Sequence, residues 1–140
     1  DNEMMTALCL AAKSGVDVRL MTPGIPDKKL VFLLTQSYYE QLLEAGVKIY
    51  EYQPGFLHAK SFVCDDEIAV VGTINLDFRS LYLHFENCCA FYGGHMVRDV
   101  LEDVRATLAE SHEVTMADVL RTPLYKWLAQ VFLRFFSPLM

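Results

Sequence analysis

The residues best suited to chemistry lie in an apolar run, residues 57–64, that predicts a β-strand. His58 and Lys60 are two positions apart in this run, and alternate residues of a strand project from the same face. An uncharged imidazole is a good nucleophile towards phosphorus. A neighbouring ammonium disfavours the imidazolium form and can hold a phosphate oxygen. The pair therefore predicts chemistry on a phosphate ester.

A second polar cluster follows at residues 72–75. It comes directly after another apolar run, residues 68–71, and a hairpin between the two runs would return the chain beside His58. Gly72 allows close backbone approach. The Thr73 hydroxyl and the Asn75 amide are donors suited to a non-bridging phosphoryl oxygen. We therefore expect this cluster to complete a phosphate-binding pocket.

Glu86 is the third candidate, at the start of the next predicted strand, residues 86–92. A carboxylate in an apolar strand needs a partner, because burying an unpaired charge is costly. Beside an imidazole it accepts a hydrogen bond from one ring nitrogen and leaves the other nitrogen free to attack. We expect Glu86 to orient His58 in this way.

Each candidate also has a simpler explanation when taken alone. A histidine in an apolar strand is more often a satisfied core or surface group than a nucleophile. Asp65 begins a predicted hairpin turn, where Asp is favoured for local backbone hydrogen bonds. Three other histidines have no comparable setting and are expected to be structural or exposed: His84, His95 and His112. The functional prediction therefore rests on the combination of residues.

The elements that must position these residues alternate between helices and strands. Helical spacing of apolar residues predicts helices over residues 4–14, 30–45 and 96–110. Shorter apolar runs predict strands over residues 16–21, 47–52, 57–64, 68–71 and 86–92. Residues 22–26 and 72–79 read as loops and residues 65–67 as a turn. A strand, helix and strand of these lengths predict a right-handed βαβ unit, and hence an α/β fold with a mixed β-sheet flanked by helices.

The last stretch, residues 123–140, forms a separate amphipathic tail. Its apolar side chains recur at helical spacing, and Lys126 and Arg134 flank them. The stretch is too short and too charged for a confident membrane span. Two alternatives stay open, that it lies in a bilayer interface with Trp127 inserted, or that it covers the core of this domain or of a neighbour.

Length and charge restrict the function classes. The 140 residues, 53% of them hydrophobic, suffice for one domain with its own core. A net charge of −6 argues against a nucleic-acid partner, because phosphate backbones are bound mainly through Lys and Arg. The four cysteines show no spacing typical of a metal site, so no metal or other cofactor is expected. The chain opens with Asp1, and we expect it to be part of a longer protein.

The order His-x-Lys-x4-Asp, followed by Gly-Ser/Thr-x-Asn, resembles the signature of the phospholipase D superfamily. The chain fits this signature without a gap at His58, Lys60, Asp65, Gly72, Thr73 and Asn75. Glu86 falls where the superfamily places the carboxylate that orients the histidine. The resemblance therefore implies the catalytic set His58, Lys60, Asp65 and Glu86, with Lys60, Thr73 and Asn75 on the substrate phosphate.

A wider likeness points to the second catalytic half of bacterial cardiolipin synthases. It covers residues 11–19, 38–50, 52–60, 75–81 and 121–124, the last leading into the apolar tail. The resemblance implies that residues 1–122 are a phospholipase D-like C-terminal half lacking its first strand. These enzymes carry two such motifs, one in each half, whereas this chain carries one. The second would come from a missing N-terminal half or from a homodimer partner.

This resemblance implies transfer of a phosphatidyl group between two phosphatidylglycerol molecules through a phosphohistidine, at the cytoplasmic face of the bacterial membrane. Two-motif phospholipases place the nucleophile in the N-terminal half, which favours a general acid–base role for His58. The nucleophile role is the alternative. The isolated chain would then be nearly inactive.

Two other readings compete with transfer. The same residues serve a phospholipase D-type hydrolase or nuclease of the superfamily, since only the acceptor differs. A non-catalytic domain that docks lipid or a partner through the tail is the second. The negative net charge argues against a nuclease, and the intact set of polar residues argues against a scaffold.

Overall fold

The computed structural model describes residues 1–137 and has an α/β fold, as predicted. The elements occur in the order α1 (Asn2–Lys13), β1 (Arg19–Pro23), α2 (Lys29–Gln36), α3 (Tyr39–Glu44), β2 (Lys48–Tyr52), β3 (Ser61–Cys64), β4 (Ile68–Gly72), a π-helical turn (Arg79–Leu83), β5 (Cys88–Tyr92), α4 (Gly94–Ala109), β6 (Ser111–Val114), α5 (Met116–Leu120) and α6 (Leu124–Phe135). Mixed strand pairing is confirmed, although the strands divide into two three-stranded sheets.

The first sheet has the strand order β1-β2-β6 and surrounds most of the core. β1 and β2 pair in parallel, which confirms the predicted βαβ unit, and β6 adds an antiparallel strand to β2. Ile49 of β2 is 0% exposed and packs in one apolar cluster with Met5, Tyr39, Leu42, Val47 and Val114. Buried apolar area of this kind is the main source of stability.

The connection between β1 and β2 is two helices rather than the single helix predicted over residues 30–45. Helix α2 ends at Gln36, and the Ser37 hydroxyl donates to the Leu34 carbonyl 2.6 Å away. This side-chain bond satisfies a backbone group that a continuing helix would have paired. The prediction missed the break because residues 30–45 contain neither Gly nor Pro.

The second sheet has the order β3-β4-β5, with both pairings antiparallel. The predicted turn joins β3 to β4, and Asp65 and Asp66 both have positive φ, 52° and 56°. Turns of this hand match the right-handed twist of the flanking strands. Helix α4 packs against all three strands, and Ala69 and Val97 are fully buried in that contact region.

Several predicted boundaries were wrong. The strand expected over residues 57–64 begins only at Ser61, and Thr22 and Pro23 belong to β1 rather than to a loop. Strand β6 and helix α5 were not predicted. β6 is four largely polar residues, and its pairing with β2 is visible only in three dimensions. The only local sequence signal for helix α5 is the capping box formed by Thr115 and Asp118.

Helix α6 confirms that the tail is helical through Phe135. Helix α6 packs against α2. None of the helices within residues 1–137 has both the length and the apolarity needed to span a membrane. Residues 138–140 of the predicted tail lie outside the described residues.

Candidate functional site

His58 and Lys60 lie in the connection between β2 and β3, not on a strand, so the argument from strand alternation was wrong. The His58 ring is exposed and stacks on Phe56, with ring centroids 5.6 Å apart and planes inclined by 14°. The Lys60 ammonium donates to the His58 carbonyl, with an N–O distance of 2.8 Å. A local hydrogen bond and ring stacking, rather than a sheet ladder, therefore hold the pair.

The predicted return of the chain beside this segment is confirmed by a backbone contact. The Gly72 amide donates to the Lys60 carbonyl at 3.1 Å. Gly72 also lies directly against the start of β5, because an added Cβ would sit 2.3 Å from the Asn87 carbonyl oxygen. Only glycine fits there. Residues 58–60, 72–75 and 86–88 therefore meet at one end of the second sheet.

Glu86 lies just before β5 and is held by two hydroxyl groups. Ser80 Oγ donates to Glu86 Oε1 at 2.5 Å, and Thr73 Oγ1 donates to Glu86 Oε2. These hydrogen bonds, that from Ser80 first, keep the pKa of the Glu86 carboxyl below its ordinary value. The side chain is only 15% exposed. Glu86 is therefore an ionised, firmly placed carboxylate.

Ser80 is a member of the site that the sequence analysis missed. It is 5% exposed and sits in the π-helical turn. Its Oγ accepts a hydrogen bond from the backbone amide of Asn75 at 3.1 Å and donates one to Glu86. The backbone amide of Ser80 donates to Asp77 Oδ1 at 2.7 Å. The available signal was the Asp-x-x-Ser spacing of residues 77–80, which favours a local side-chain turn. Ser80 thus joins the Asn75 segment to the Glu86 carboxylate.

The histidine closest to Glu86 in the described contacts is His84, which the sequence had left without a function. His84 Nδ1 lies 3.6 Å from Glu86 Oε1. Within residues 1–137, the hydrogen bonds of the Glu86 side chain go to Thr73 and Ser80, and none goes to His58. The orienting role of Glu86 towards His58 stays a prediction.

The remaining predicted residues divide by their surroundings. The Thr73 hydroxyl donates a hydrogen bond to Glu86 and accepts one from the backbone amide of Asn87 at 3.0 Å. In this structure the hydroxyl therefore holds the carboxylate. Asn75 is exposed, and its backbone is anchored by Ser80.

Asp65 sits in the hairpin turn, where Cys64 Sγ lies 3.5 Å from it. That turn is separated from Lys60 by the whole of β3, roughly 13 Å at the rise of a strand. The catalytic role of Asp65 and the phosphate contacts of Lys60, Thr73 and Asn75 stay predictions.

Chemically, the site combines an exposed imidazole, an ammonium and an amide with a partly buried, ionised carboxylate. These groups suit nucleophilic or acid–base work on an anionic ester. Among the described residues no three His, Cys, Asp or Glu side chains group as metal ligands would.

Comparison with known proteins supports this assignment at the level of family. A family model described as "Cardiolipin synthase, PLD-like domain" matches residues 1–108. An uncharacterized protein of Streptococcus mutans is 47% identical over 140 residues, which is 100% of this chain and 30% of that protein. A cardiolipin synthase of Geobacillus kaustophilus is 54% identical over 109 residues, 75% of this chain and 22% of that protein. Cardiolipin synthase 2 of Bacillus anthracis is 40% identical over 140 residues, 100% of this chain and 27% of that protein.

The fold has a solved counterpart. The crystal structure of Nuc, a phospholipase D family member from Salmonella typhimurium, superposes with a TM-score of 0.68 at 18% identity, covering 80% of this chain and 73% of that one. The chain spans less than a third of the length of the three relatives named above. Because the family model covers well over half of the chain, the chain belongs to the phospholipase D-like domain family of cardiolipin synthases.

Proposed function

We propose that this chain supplies one half of a two-histidine site that moves a phosphatidyl group between two phosphatidylglycerol molecules and releases glycerol. The observation that carries the proposal is the backbone bond from Gly72 to Lys60. This bond holds Lys60 beside Gly72, the residue directly before Thr73. The family model that matches residues 1–108 covers all of these residues.

The reaction needs two histidines because an alkoxide is a poor leaving group. One imidazole nitrogen attacks phosphorus, and a P–N bond forms as the P–O bond to glycerol breaks. The other imidazole, protonated, gives its proton to the departing oxygen. It then takes a proton from the hydroxyl of the second phosphatidylglycerol, whose oxygen attacks phosphorus and breaks the P–N bond. We assign His58 the acid–base role, with the nucleophile in the other half of the site.

The neighbouring residues stabilise charge in this scheme. Lys60 and Asn75 hold the non-bridging oxygens, where negative charge develops in the transition state. Lys60 must exchange its bond to the His58 carbonyl for the phosphate, which a flexible ammonium does readily. We assign Glu86 the role of accepting a hydrogen bond from one ring nitrogen of His58 in the complete site. Thr73 and Ser80 keep that carboxylate ionised.

A missing half fits the exposure of His58. Its ring contacts Phe56 at the surface, so it is open to a second histidine from an N-terminal half or from a homodimer partner. The reaction would take place at the cytoplasmic face of the membrane, where phosphatidylglycerol is supplied.

The test uses the full-length protein that carries this chain and labelled phosphatidylglycerol. His58→Ala is expected to lower transfer at least 1000-fold, as removal of an essential acid–base or nucleophilic group typically does, by roughly 10³ or more. His95→Ala is the matched control, since His95 is also an exposed histidine but lies on α4, away in sequence from the residues assigned to the site.

The products separate transfer from hydrolysis. Cardiolipin and glycerol are expected, whereas phosphatidic acid as the main product would replace transferase by hydrolase. Normal turnover by His58→Ala would remove His58 from the mechanism. Robust transfer by a strictly monomeric sample of the 140-residue chain would contradict the half-site.

A further inference from the structure

A helix that covers a core buries its apolar side chains, whereas helix α6 leaves many of its apolar side chains exposed on the side away from the protein. The side chains at i, i+4 and i+11 on its outer side are apolar and exposed: Leu124, Leu128 and Phe135. Phe135 is 79% exposed and Phe132, beside this stripe, is 63% exposed. Leaving such side chains in water forgoes the free energy that their burial would release.

The inner side of α6 carries the polar residues instead. Gln130 is 7% exposed, and the Arg134 guanidinium lies 4.7 Å from the centre of the Tyr38 ring and 3.4 Å from Gln41 Oε1. Lys126 borders the cleft between α6 and the body of the protein, which Trp127 and Val131 also line. The helix is therefore attached mainly through polar contacts, and the face that bears Leu124, Leu128 and Phe135 is left for another surface.

The charge of this segment differs from that of the rest of the chain. Arg121, Lys126 and Arg134 supply three of the 12 basic residues, and none of the 18 acidic residues lies between positions 121 and 140. These groups lie within about one Debye length, ~10 Å, of whatever meets the outer face, because a helix is roughly 10 Å thick. The segment is complementary to an anionic surface.

We propose that the outer face of α6 docks on an anionic phospholipid bilayer, with the helix lying in the plane of the headgroups. This proposal rests on the proposed function, because the substrate proposed there, phosphatidylglycerol, is an anionic lipid. The 12 residues of α6 measure roughly 18 Å, against a hydrocarbon core of about 30 Å, which suits a helix lying along the interface. Tyr125 and Trp127 flank the stripe, as amphipathic aromatics do at a bilayer interface.

The same charges disfavour a second copy as the occupant. A symmetric dimer through this face would place two acid-free basic segments against each other. A bilayer of phosphatidylglycerol offers the opposite charge across the whole face.

Trp127 allows a direct test, because it is the only tryptophan in the chain. The 140-residue protein is titrated with vesicles of phosphatidylglycerol and, separately, of phosphatidylcholine. With phosphatidylglycerol the emission of Trp127 is expected to shift to shorter wavelength, and co-sedimentation to rise with lipid. The apparent affinity is expected to be at least tenfold weaker for phosphatidylcholine and to fall with added salt.

Two variants localise the contact. Phe132→Glu with Phe135→Glu is expected to weaken binding to phosphatidylglycerol vesicles at least 30-fold. Tyr92→Glu, which also places an acid on an exposed aromatic position but on β5, is expected to bind as the parent does. Circular dichroism confirms that each variant folds. For a misfolded double variant, quenching of Trp127 by brominated lipid in the parent protein is the decisive measurement.

The inference is overturned if Trp127 emission is unchanged by saturating phosphatidylglycerol vesicles, or if Tyr92→Glu loses as much binding as the α6 variant. Sedimentation showing a dimer that the α6 variant abolishes, without vesicle binding, would assign the face to a second copy. In the full-length protein, His58→Ala tests the chemistry and leaves vesicle binding intact. The α6 variant is expected to spare turnover of dispersed short-chain phosphatidylglycerol and to reduce turnover in vesicles.

Discussion

The two sheets of this protein are stabilised in different ways. The first places Val47 and Ile49, 1% and 0% exposed, in the main apolar cluster. The second has α4 on one face, while its other face leaves Phe62, Ile68 and Tyr92 in contact with solvent. All the candidate site residues belong to the second sheet or to the loops beside it.

The difference shows what positions the site residues in a sheet that buries little apolar surface. At the site end of the second sheet, position depends on one close backbone approach, at Gly72, and on the hydroxyl groups that hold Glu86. Hydrogen bonds are directional, so they place groups more exactly than apolar contacts do. A sheet with an open face also has room for another surface, such as the second half of the proposed site.

The comparison is tested most strongly by removing one isoleucine from each sheet. Ile49→Ala leaves a cavity in the main core and is expected to lower the free energy of unfolding by about 2–5 kcal/mol. Ile68→Ala, at a position of β4 that is 36% exposed, is expected to cost about 1–2 kcal/mol, because only part of this side chain is removed from water. Urea denaturation measures both, and equal losses would show that the second sheet is as buried as the first.

The close approach at the site gives the next largest effect. Gly72→Ala forces β4 and β5 apart, since the new Cβ would meet the Asn87 carbonyl, and is expected to cost about 1–3 kcal/mol. Gly55→Ala is the control, because its Cβ would meet nothing nearer than 3.9 Å. A destabilisation by Gly55→Ala as large as that by Gly72→Ala would mean that the contact does not matter.

Ser80→Ala tests the polar cluster that replaces a core at the site. Loss of the Ser80 hydroxyl removes the main cause of the lowered pKa of Glu86, so that pKa is expected to rise. The stability that the ionised carboxylate contributes above its ordinary pKa would then be lost at a higher pH during acidification than in the parent. A titration of Glu86 followed by NMR measures the change. Ser14→Ala, at an exposed position, should leave it unaltered, and an unchanged Glu86 pKa in Ser80→Ala would refute the assigned role.

The smallest effect is expected at an exposed ion pair beside the first sheet. Hydrogen bonds from Arg19 and then Lys48 lower the pKa of Asp17 to about 2. Its contribution to stability is therefore present above its ordinary pKa of 3.8 and is lost as pH falls towards 2. Asp17→Asn should lower the urea midpoint slightly at pH 7, and its difference from the parent should shrink as pH falls through about 2. A difference at pH 2 as large as that at pH 7 would show a role other than charge.

Prediction from sequence succeeded where the signal is local. The βαβ unit, the hairpin at Asp65 and the family follow from short patterns, and all three are confirmed. It failed over residues 57–60, which form a connection between the two sheets, because an apolar run alone does not distinguish a strand from such a connection. It also left His84 and Ser80 out of the site, because their approach to Glu86 depends on how the chain turns between residues 79 and 86.

By itself, the sequence determined which residues are chemically competent, since side-chain type and motif spacing are properties of the chain. It also determined that the tail is helical and has an apolar stripe. Only the tertiary structure decided which way that stripe faces and which hydroxyls hold Glu86. The physical reason is that both depend on contacts between distant segments, and periodicity along one segment carries no information about the surface it meets.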